Sequence, residues 1–465
     1  MEYIENRTYD EIKIGDTASI VRTLKLEDIQ LFAAMSGDIN PTHLDSDYAK
    51  SSQFQEVIAH GMWSGALVSN ILGTQLPGPG TVYIDQSMHF ARPVTLGDTI
   101  TVTITVTGKF DHHHHVTFDC NCVNQNNLVV MSGTAEVMAP MEKVRRPRTE
   151  LPEVRVTDKT SQYRRLLAMA EAPEPIPMAV VHPCDRDSLL GAIEAAKANL
   201  IIPVLIGPRS KIDAVARAQE VDISPYQIVD VPHSHAAANF AVAMAREGTV
   251  EALMKGSLHT DELMAEVVAG ETGLRTSRRI SHVFIMDVPT YPRMLLITDA
   301  AINIAPTLEE KVDIVQNAID LAQVLQVSEP KVAILAAVET VMPKQRSTLD
   351  AAALCKMADR GQITGGILDG PLAFDNAVSI VAAKTKGIRS AVAGRADILV
   401  VPDLEAGNML AKQLEYLADA QAAAIVLGAT VPIVLTSRAD TVQTRLASCA
   451  VAVLLAHHKK SGKSS

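Results

Sequence analysis

Near residue 150 the hydrophobic period of the chain changes, and no single layer of structure suits both sides of the change. Before it, apolar and polar residues alternate, as in DTITVTITVTG (98–108) and HHVTFDCNCV (114–123). Period two puts one set of side chains on a buried face and the other outside. One apolar helical run, GMWSGALVSNILGTQL (61–76), interrupts these strands. A long helix among antiparallel strands predicts an α+β unit, a sheet wrapped around a helix. After residue 160 the pattern becomes short, continuously apolar strands (MAVVH, IPVLIG, RMLLITD, KVAILAAV, ADILVVPD) between Ala-rich helical runs. That alternation predicts an α/β unit with a parallel or mixed sheet. The boundaries read as 1–140 for the first unit, 141–160 for a linker with prolines and scattered charges, 161–460 for the second unit, and 461–465 for a frayed tail.

Charge and composition remove several functional classes. The net charge is −11 and aromatics are 4% of the 465 residues, with one Trp, so neither a broad nucleic-acid surface nor an anionic-membrane surface is expected. An anionic ligand would need positive charge from a local pocket. The five cysteines form no CxxC, and few cysteines in a long chain fit a reducing compartment. Cys120 and Cys122 share one face of a strand pattern and read as packing. The start, MEYIENRTYDEIKIGD, is acidic and does not resemble a secretory signal. The apolar run LASCAVAVLLA (446–456) is short of the roughly 20 residues that cross a bilayer. A cytoplasmic protein without membrane or nucleic-acid partners is the expectation.

In the first unit, FAAMSGDINPTHLDSDYAK (32–50) carries the chemistry. A helical run ends at Gly37, and Asp38, Asn40 and Pro41 then enforce an irregular turn. Asp38 and His43 stand close in sequence. A carboxylate beside an imidazole can hold one water and share its proton, the minimum equipment for adding water to a double bond. Turn capping by Asp38 and a backbone bond from His43 would use the same residues structurally. Gly61 sits at the predicted start of the long helix, where unpaired N–H groups can polarise a carbonyl oxygen, or it serves close packing. The run His112–His115 falls between two strand patterns and reads as a surface hairpin, because adjacent strand residues alternate faces.

SGDINPTHLD (36–45), HGM (60–62) and GDTITVTITVT after FARPV (90–94) resemble the R-specific enoyl-CoA hydratases of the MaoC-like hot-dog family over roughly residues 10–140. The resemblance implies a hot-dog fold, a catalytic dyad on Asp38 and His43, a carbonyl-binding N–H on Gly61, and a pocket-side hydroxyl on Ser69. Asn40 counts as substrate-binding on the same motif. The implied reaction is reversible hydration of a trans-2-enoyl-CoA to an (R)-3-hydroxyacyl-CoA.

The second unit lacks both GxGxxG and GxxxxGK[ST], so dinucleotide and P-loop readings have no support. It carries instead small polar clusters at predicted strand ends: MKGSLHT (254–260), LITDAAINIAP (296–306), ILDGPLAFDNA (367–377), VVPDLEAGNM (400–409) and VLTSRAD (434–440). Such loops form the crevice of open α/β sheets. Lys255, Asp299, Asn303, Asp369 and Asn408 are the candidate substrate-binding residues among them, while each loop taken alone also has a structural use, Asp299 as a helix cap, Gly370–Pro371 as a turn and Gly407 as a close contact. Ser437–Arg438 stands out, since arginine binds phosphate bidentately and a neighbouring hydroxyl can hydrogen-bond a thiol or an oxyanion; a surface salt bridge is the structural use of the same arginine.

DAAINIAPT, ETVMPKQRSTLDAAALCKMADRGQITGGILDGPLAFDNA, ADILVVPDLEAGNMLAKQ and LTSRAD together resemble the phosphate acetyl/butyryltransferase family from about residue 165 to 458, especially the butyryl type. The resemblance implies an α/β fold of two subdomains, isocitrate/isopropylmalate dehydrogenase-like, with the inner subdomain at about 284–427. It implies acyl exchange between CoA and phosphate, with Ser437 and Arg438 matching the family's Ser-Arg pair. Acetyltransferase-type members carry a catalytic aspartate shortly after Ser-Arg-Gly. Here Ala439 replaces that glycine and Thr444 stands at the aspartate's place. Asp440 is the nearby carboxylate that can serve as base. The whole chain thus reads as a fusion of two enzymes acting on acyl-CoA, with phosphate or acyl phosphate as the other substrate. No cofactor and no metal are expected, and the likeness implies a homo-oligomer. Two alternatives stay open: a transferase with a non-catalytic hot-dog module for dimerisation or CoA binding, and a non-catalytic acyl-CoA sensor.

Overall fold

The computed structural model describes residues 2–150, 152, 154, 161–437 and 440–462. Its contacts divide the chain into two compact units, 1–156 and 157–465. In the first, a six-stranded sheet runs in the order Thr17–Thr23, Thr99–Phe110, His115–Val123, Val129–Met138, Val82–Gln86, with His89–Phe90 also paired to Val129–Met138. All its pairings are antiparallel. Ile100, Val102, Ile104 and Val106 are buried while the threonines between them are half-buried, as the alternation requires. The helix Gly61–Thr74 packs Trp63, Val68, Ile71 and Leu72 into one core with these valines and isoleucines and with Phe118, Cys120 and Cys122. Each large apolar side chain buried there contributes roughly 1.5–3 kcal/mol. Burial pushes the thiols of Cys120 and Cys122 up to about 11 and about 12, so both act as packing groups. The histidines 112–115 form the turn into His115–Val123, with His113 and His114 at φ 62° and 55°.

The expected linker differs from the structure in its first part. Arg145–Pro147 pairs antiparallel with Tyr3–Glu5, and Lys143 reaches Glu5 (3.3 Å) and Glu11 (2.8 Å). Cations opposite acidic residues draw this segment onto the first unit, and Pro147 is tolerated because the strand is an edge strand. Residues 151, 153 and 155–160 of the expected linker lie outside the described residues, as do 463–465 of the tail.

In the second unit eleven strands among the described residues form one sheet. Its order is Gln227–Asp230, Ile201–Gly207, Ile176–Val181, Ala252–Lys255, Ile433–Val434, Gln421–Leu427, Ser281–Asp287, Leu295–Thr298, Ile398–Val400, Lys331–Leu335, Ile367–Leu372. Two parallel sets flank an antiparallel middle, where Gln421–Leu427 opposes both of its neighbours and Ser281–Asp287 opposes Leu295–Thr298. The sheet runs unbroken through the expected inner subdomain. Ser437 and Lys255 emerge at the carboxyl ends of one parallel set, and Asp299 at a carboxyl end of the other. Among the described residues no helix is long and apolar enough to cross a membrane.

Gly133 marks the tightest approach in the first unit: a Cβ there would lie 2.0 Å from the Ser87 carbonyl oxygen. Gly133→Ala is expected to cost roughly 1–3 kcal/mol through forced backbone shifts. Calorimetry of the full chain should show the first unit's transition moved down by several degrees.

Candidate active sites

In the first unit the turn after Gly37 is built by side chains. Asp38 N–H donates to Ser36 Oγ (3.2 Å), Asn40 N–H to Asp38 Oδ1 (3.2 Å), and Thr42 N–H to Asn40 Oδ1 (3.1 Å). Asn40 therefore caps the short helix Pro41–Leu44 that carries His43. His43 Nδ1 lies 2.9 Å from the Ile58 carbonyl. A carbonyl only accepts, so Nδ1 holds the proton and Nε2 presents a lone pair. The structure brings Asp38 and His43 together with a third residue, His60: their ligating atoms lie within 4.8 Å of one another. One water spans that separation with two hydrogen bonds of about 2.8 Å.

The sequence reading passed over His60. It is 3% exposed, its Nε2 donates to the Asp38 carbonyl (3.0 Å), and its ring lies between Phe32 (centroids 4.9 Å) and His43 (3.9 Å). His60 also precedes the helix Gly61–Thr74, and no side chain caps that helix start, so its first N–H groups remain open to a ligand. The signal available was AHG itself, an imidazole placed before the helix start. Gly61 serves close packing as well: a Cβ there would meet the Phe90 ring at 3.3 Å. Ser69 is exposed eight residues along the same helix from Gly61, roughly 12 Å by helical rise.

In the second unit the Ser437–Asp440 turn closes on itself. Ser437 N–H donates to Asp440 Oδ2 (2.6 Å) and Asp440 N–H to the Ser437 carbonyl (3.2 Å). Arg438 lies outside the described residues. Asp440 is 3% exposed, with Lys412 Nζ 3.7 Å from Oδ1. Burial outweighs these partners and raises its carboxyl above the ordinary value. Thr444 sits in the first turn of the helix Val442–Lys460, bonded to its capping Thr441.

Beneath the turn is a residue the sequence reading missed. Arg445, 1% exposed, donates to Thr436 Oγ1 (2.7 Å), the Ser437 carbonyl (3.0 Å) and the Lys255 carbonyl (3.4 Å). Asp185 and Asp440 offset the cost of burying its charge. Gly191 makes the room, since a Cβ there would lie 2.7 Å from Arg445 Cδ. A lone arginine inside the small-residue run TRLASCAVAV was the available signal.

The other candidates divide. Lys255 is 3% exposed at its strand end, beneath the same turn. Asp299, expected to touch substrate, spends its carboxylate on its own loop: it accepts from the N–H groups of Ala301 (2.9 Å), Ile302 (3.0 Å) and Asn303 (3.2 Å) and from Asn303 Nδ2 (2.5 Å). Asn303 Oδ1 accepts from Arg279 Nε (2.7 Å), and Asn303 lines a cavity of about 520 Å³ with Arg275, Arg278 and Arg279. Asn408 holds the Ala300 carbonyl (3.2 Å) from the helix Leu404–Leu417, which also carries Lys412. Asp369 lies on a strand six places from the one that delivers Ser437, and its carboxylate accepts from Gly370 N–H (2.8 Å).

A family model described as MaoC like domain matches residues 12–124, and one described as Phosphate acetyl/butaryl transferase matches residues 233–453. A phosphate acetyltransferase of Rhizobium meliloti is 65% identical over 303 residues, which cover 65% of this chain and 96% of that protein. The chain belongs to the phosphate acetyl/butyryl transferase family. Ahead of the transferase fold it carries a MaoC-like hot-dog domain. A branched-chain phosphotransacylase structure from Enterococcus faecalis V583 covers 61% of this family member and 99% of its own chain, at 29% identity and TM-score 0.55. An unliganded R-hydratase structure from Pseudomonas aeruginosa covers 33% and 99% respectively, at 44% identity and TM-score 0.32. The butyryl likeness expected from the motifs does not extend to the Rhizobium relative, whose name is that of an acetyltransferase.

The raised carboxyl of Asp440 fixes a pH slope. The folded chain holds a proton here that the unfolded chain releases, so this contribution is complete below the ordinary value of 3.8 and is lost as pH rises through the raised one. Urea unfolding of wild type against Asp440→Asn should show wild type losing relative stability from about pH 3.5 to pH 7. Arg445→Met removes the cation beside the buried Asp440 and leaves the Ser437 and Lys255 carbonyls without their donor, and should cost about 3–5 kcal/mol in the same measurement.

Proposed function

We propose that the chain is a bifunctional acyl-CoA enzyme. The first unit adds water reversibly to a trans-2-enoyl-CoA, giving an (R)-3-hydroxyacyl-CoA. The second exchanges a short acyl group between CoA and phosphate. The observation that carries the first half is the approach of Asp38 and His43, with the His43 lone pair held on Nε2 by the Ile58 bond. In this reading a water sits between them. Asp38 and His43 Nε2 hold the water; one of its protons passes to His43 Nε2 as the hydroxyl oxygen bonds to the β-carbon, and that proton is then delivered to the α-carbon, so both side chains return to their starting state. The open N–H groups at Gly61 polarise the thioester oxygen while negative charge develops there. Stereochemistry and the enoyl substrate rest on the family likeness.

Phosphate acetyltransferase activity in the second half is supported by the 65% identical relative. In the acyl-phosphate direction a phosphate oxygen attacks the thioester carbonyl. The tetrahedral intermediate collapses, the C–S bond breaks, and the thiolate leaves to take up a proton. Arg438 steadies the phosphate and Ser437 the sulfur or oxyanion. Asp440 fits a positioning part better than that of base, because its carboxylate is buried and engaged by Ser437 N–H and Lys412.

The two reactions should separate by mutation. Asp38→Asn is expected to lower crotonyl-CoA hydration at least 100-fold and to leave phosphate-dependent CoA release intact; Arg438→Ala should do the reverse. Loss of both activities in both variants would sink the two-site reading.

A further inference from the structure

We propose that Asp38, His43 and His60 bind a divalent transition-metal ion of the zinc class, and that the ion switches the hydration site off by occupying the dyad. The binding stands on geometry alone; the inhibition rests on the hydration reading above. Among the described residues this is the one group of three or more His, Cys, Asp or Glu side chains whose ligating atoms come within 4.8 Å of one another.

The hydrogen bonds around the trio set the ligands. His43 Nδ1–H donates to the Ile58 carbonyl (2.9 Å), and His60 Nε2–H to the Asp38 carbonyl (3.0 Å). Histidines that hold metals are oriented in this way, with the second ring nitrogen donating to a carbonyl or carboxylate so that the first offers its lone pair. Here the lone pairs fall on His43 Nε2 and His60 Nδ1. His60 Nδ1 is buried and has no hydrogen-bond partner. A buried acceptor left unmatched carries a desolvation penalty, and a ligated cation removes it.

Two imidazoles and one carboxylate suit zinc or ferrous iron, whereas calcium and magnesium take all-oxygen shells. Two ligands at 2.0–2.1 Å from a tetrahedral zinc stand roughly 3.3 Å apart. The exposed carboxylate of Asp38, next to Gly37 at φ 75°, is the arm that closes the difference. A His43 lone pair given to the ion cannot take a proton from water.

The test uses the full chain stripped with a chelator. Co²⁺ is titrated in and followed by its ligand-field absorbance, with Zn²⁺ binding measured by calorimetry. One equivalent is expected to bind at this site. Asp38→Asn and His60→Gln should each weaken it about 100-fold or more, while His113→Ala, in the exposed histidine turn, leaves it unchanged. His60→Gln keeps an N–H for the Asp38 carbonyl, and circular dichroism confirms that each variant is folded. Zn²⁺ should suppress crotonyl-CoA hydration at least tenfold, reversibly on chelation, without touching phosphate-dependent CoA release. Absence of binding, or binding lost only in His113→Ala, overturns the site even if hydration is seen. Binding lost in Asp38→Asn and His60→Gln by a chain that never hydrates crotonyl-CoA keeps the site and overturns the hydration reading. Stimulation of hydration by Zn²⁺ overturns the inhibitory role.

Discussion

One hydrogen bond decides the geometry of the hot-dog site: His60 Nε2 to the Asp38 carbonyl. A loop leaving a helix through a left-handed glycine has many directions open to it. The buried imidazole selects one, and its faces are clamped between Phe32 and His43. Asp38 is held by its backbone and by the bond from Asn40 N–H to Oδ1, which leaves Oδ2 for chemistry. His43 is held through Nδ1, so Nε2 stays free. The pattern is economical: each reacting atom is left unused because a different atom of the same residue bears the structural load.

The transferase unit solves the same problem with charge. Ser437 follows its strand and bonds Asp440, and Arg445 donates to the carbonyls of Ser437 and Lys255. Two strand ends are thereby tied to one guanidinium, which five donors in a rigid fork make possible and a lysine would not. Asp440 closes the turn from the other side. The carboxylates facing Arg445 are part of its burial, since an isolated buried cation would be far too costly.

Period and motif made much of this legible in the sequence. The Thr/Val alternation of 98–108 left only one face for Ile100, Val102 and Ile104, and the structure buries them. The D-x-N-P-x-H spacing placed a carboxylate and an imidazole around one proline-stiffened turn, and they meet. What escaped notice acts across long sequence separations. His60 supports Asp38 from 22 residues away, and Arg445 reaches Lys255 across 190. No local pattern announces such partners. Asp299 follows the capping use its loop suggests: an aspartate two to four residues ahead of free N–H groups satisfies them.

Separate cores give this chain a useful property. Trp63, Ile71 and Phe118 belong to one apolar cluster, while Met178, Leu296 and Ala450 belong to another. Side chains that share neither a cluster nor a hydrogen-bond network contribute additively to stability, so the effects of changes at His60 and at Arg445 should add. Loss of one chemistry with the other intact can then be read as damage to a site rather than to the chain. The arrangement also bears on why two activities on thioesters would share a polypeptide. A tether raises the local concentration of one unit's product around the other without any shared residue, so each site remains free to be tuned by its own buried anchor.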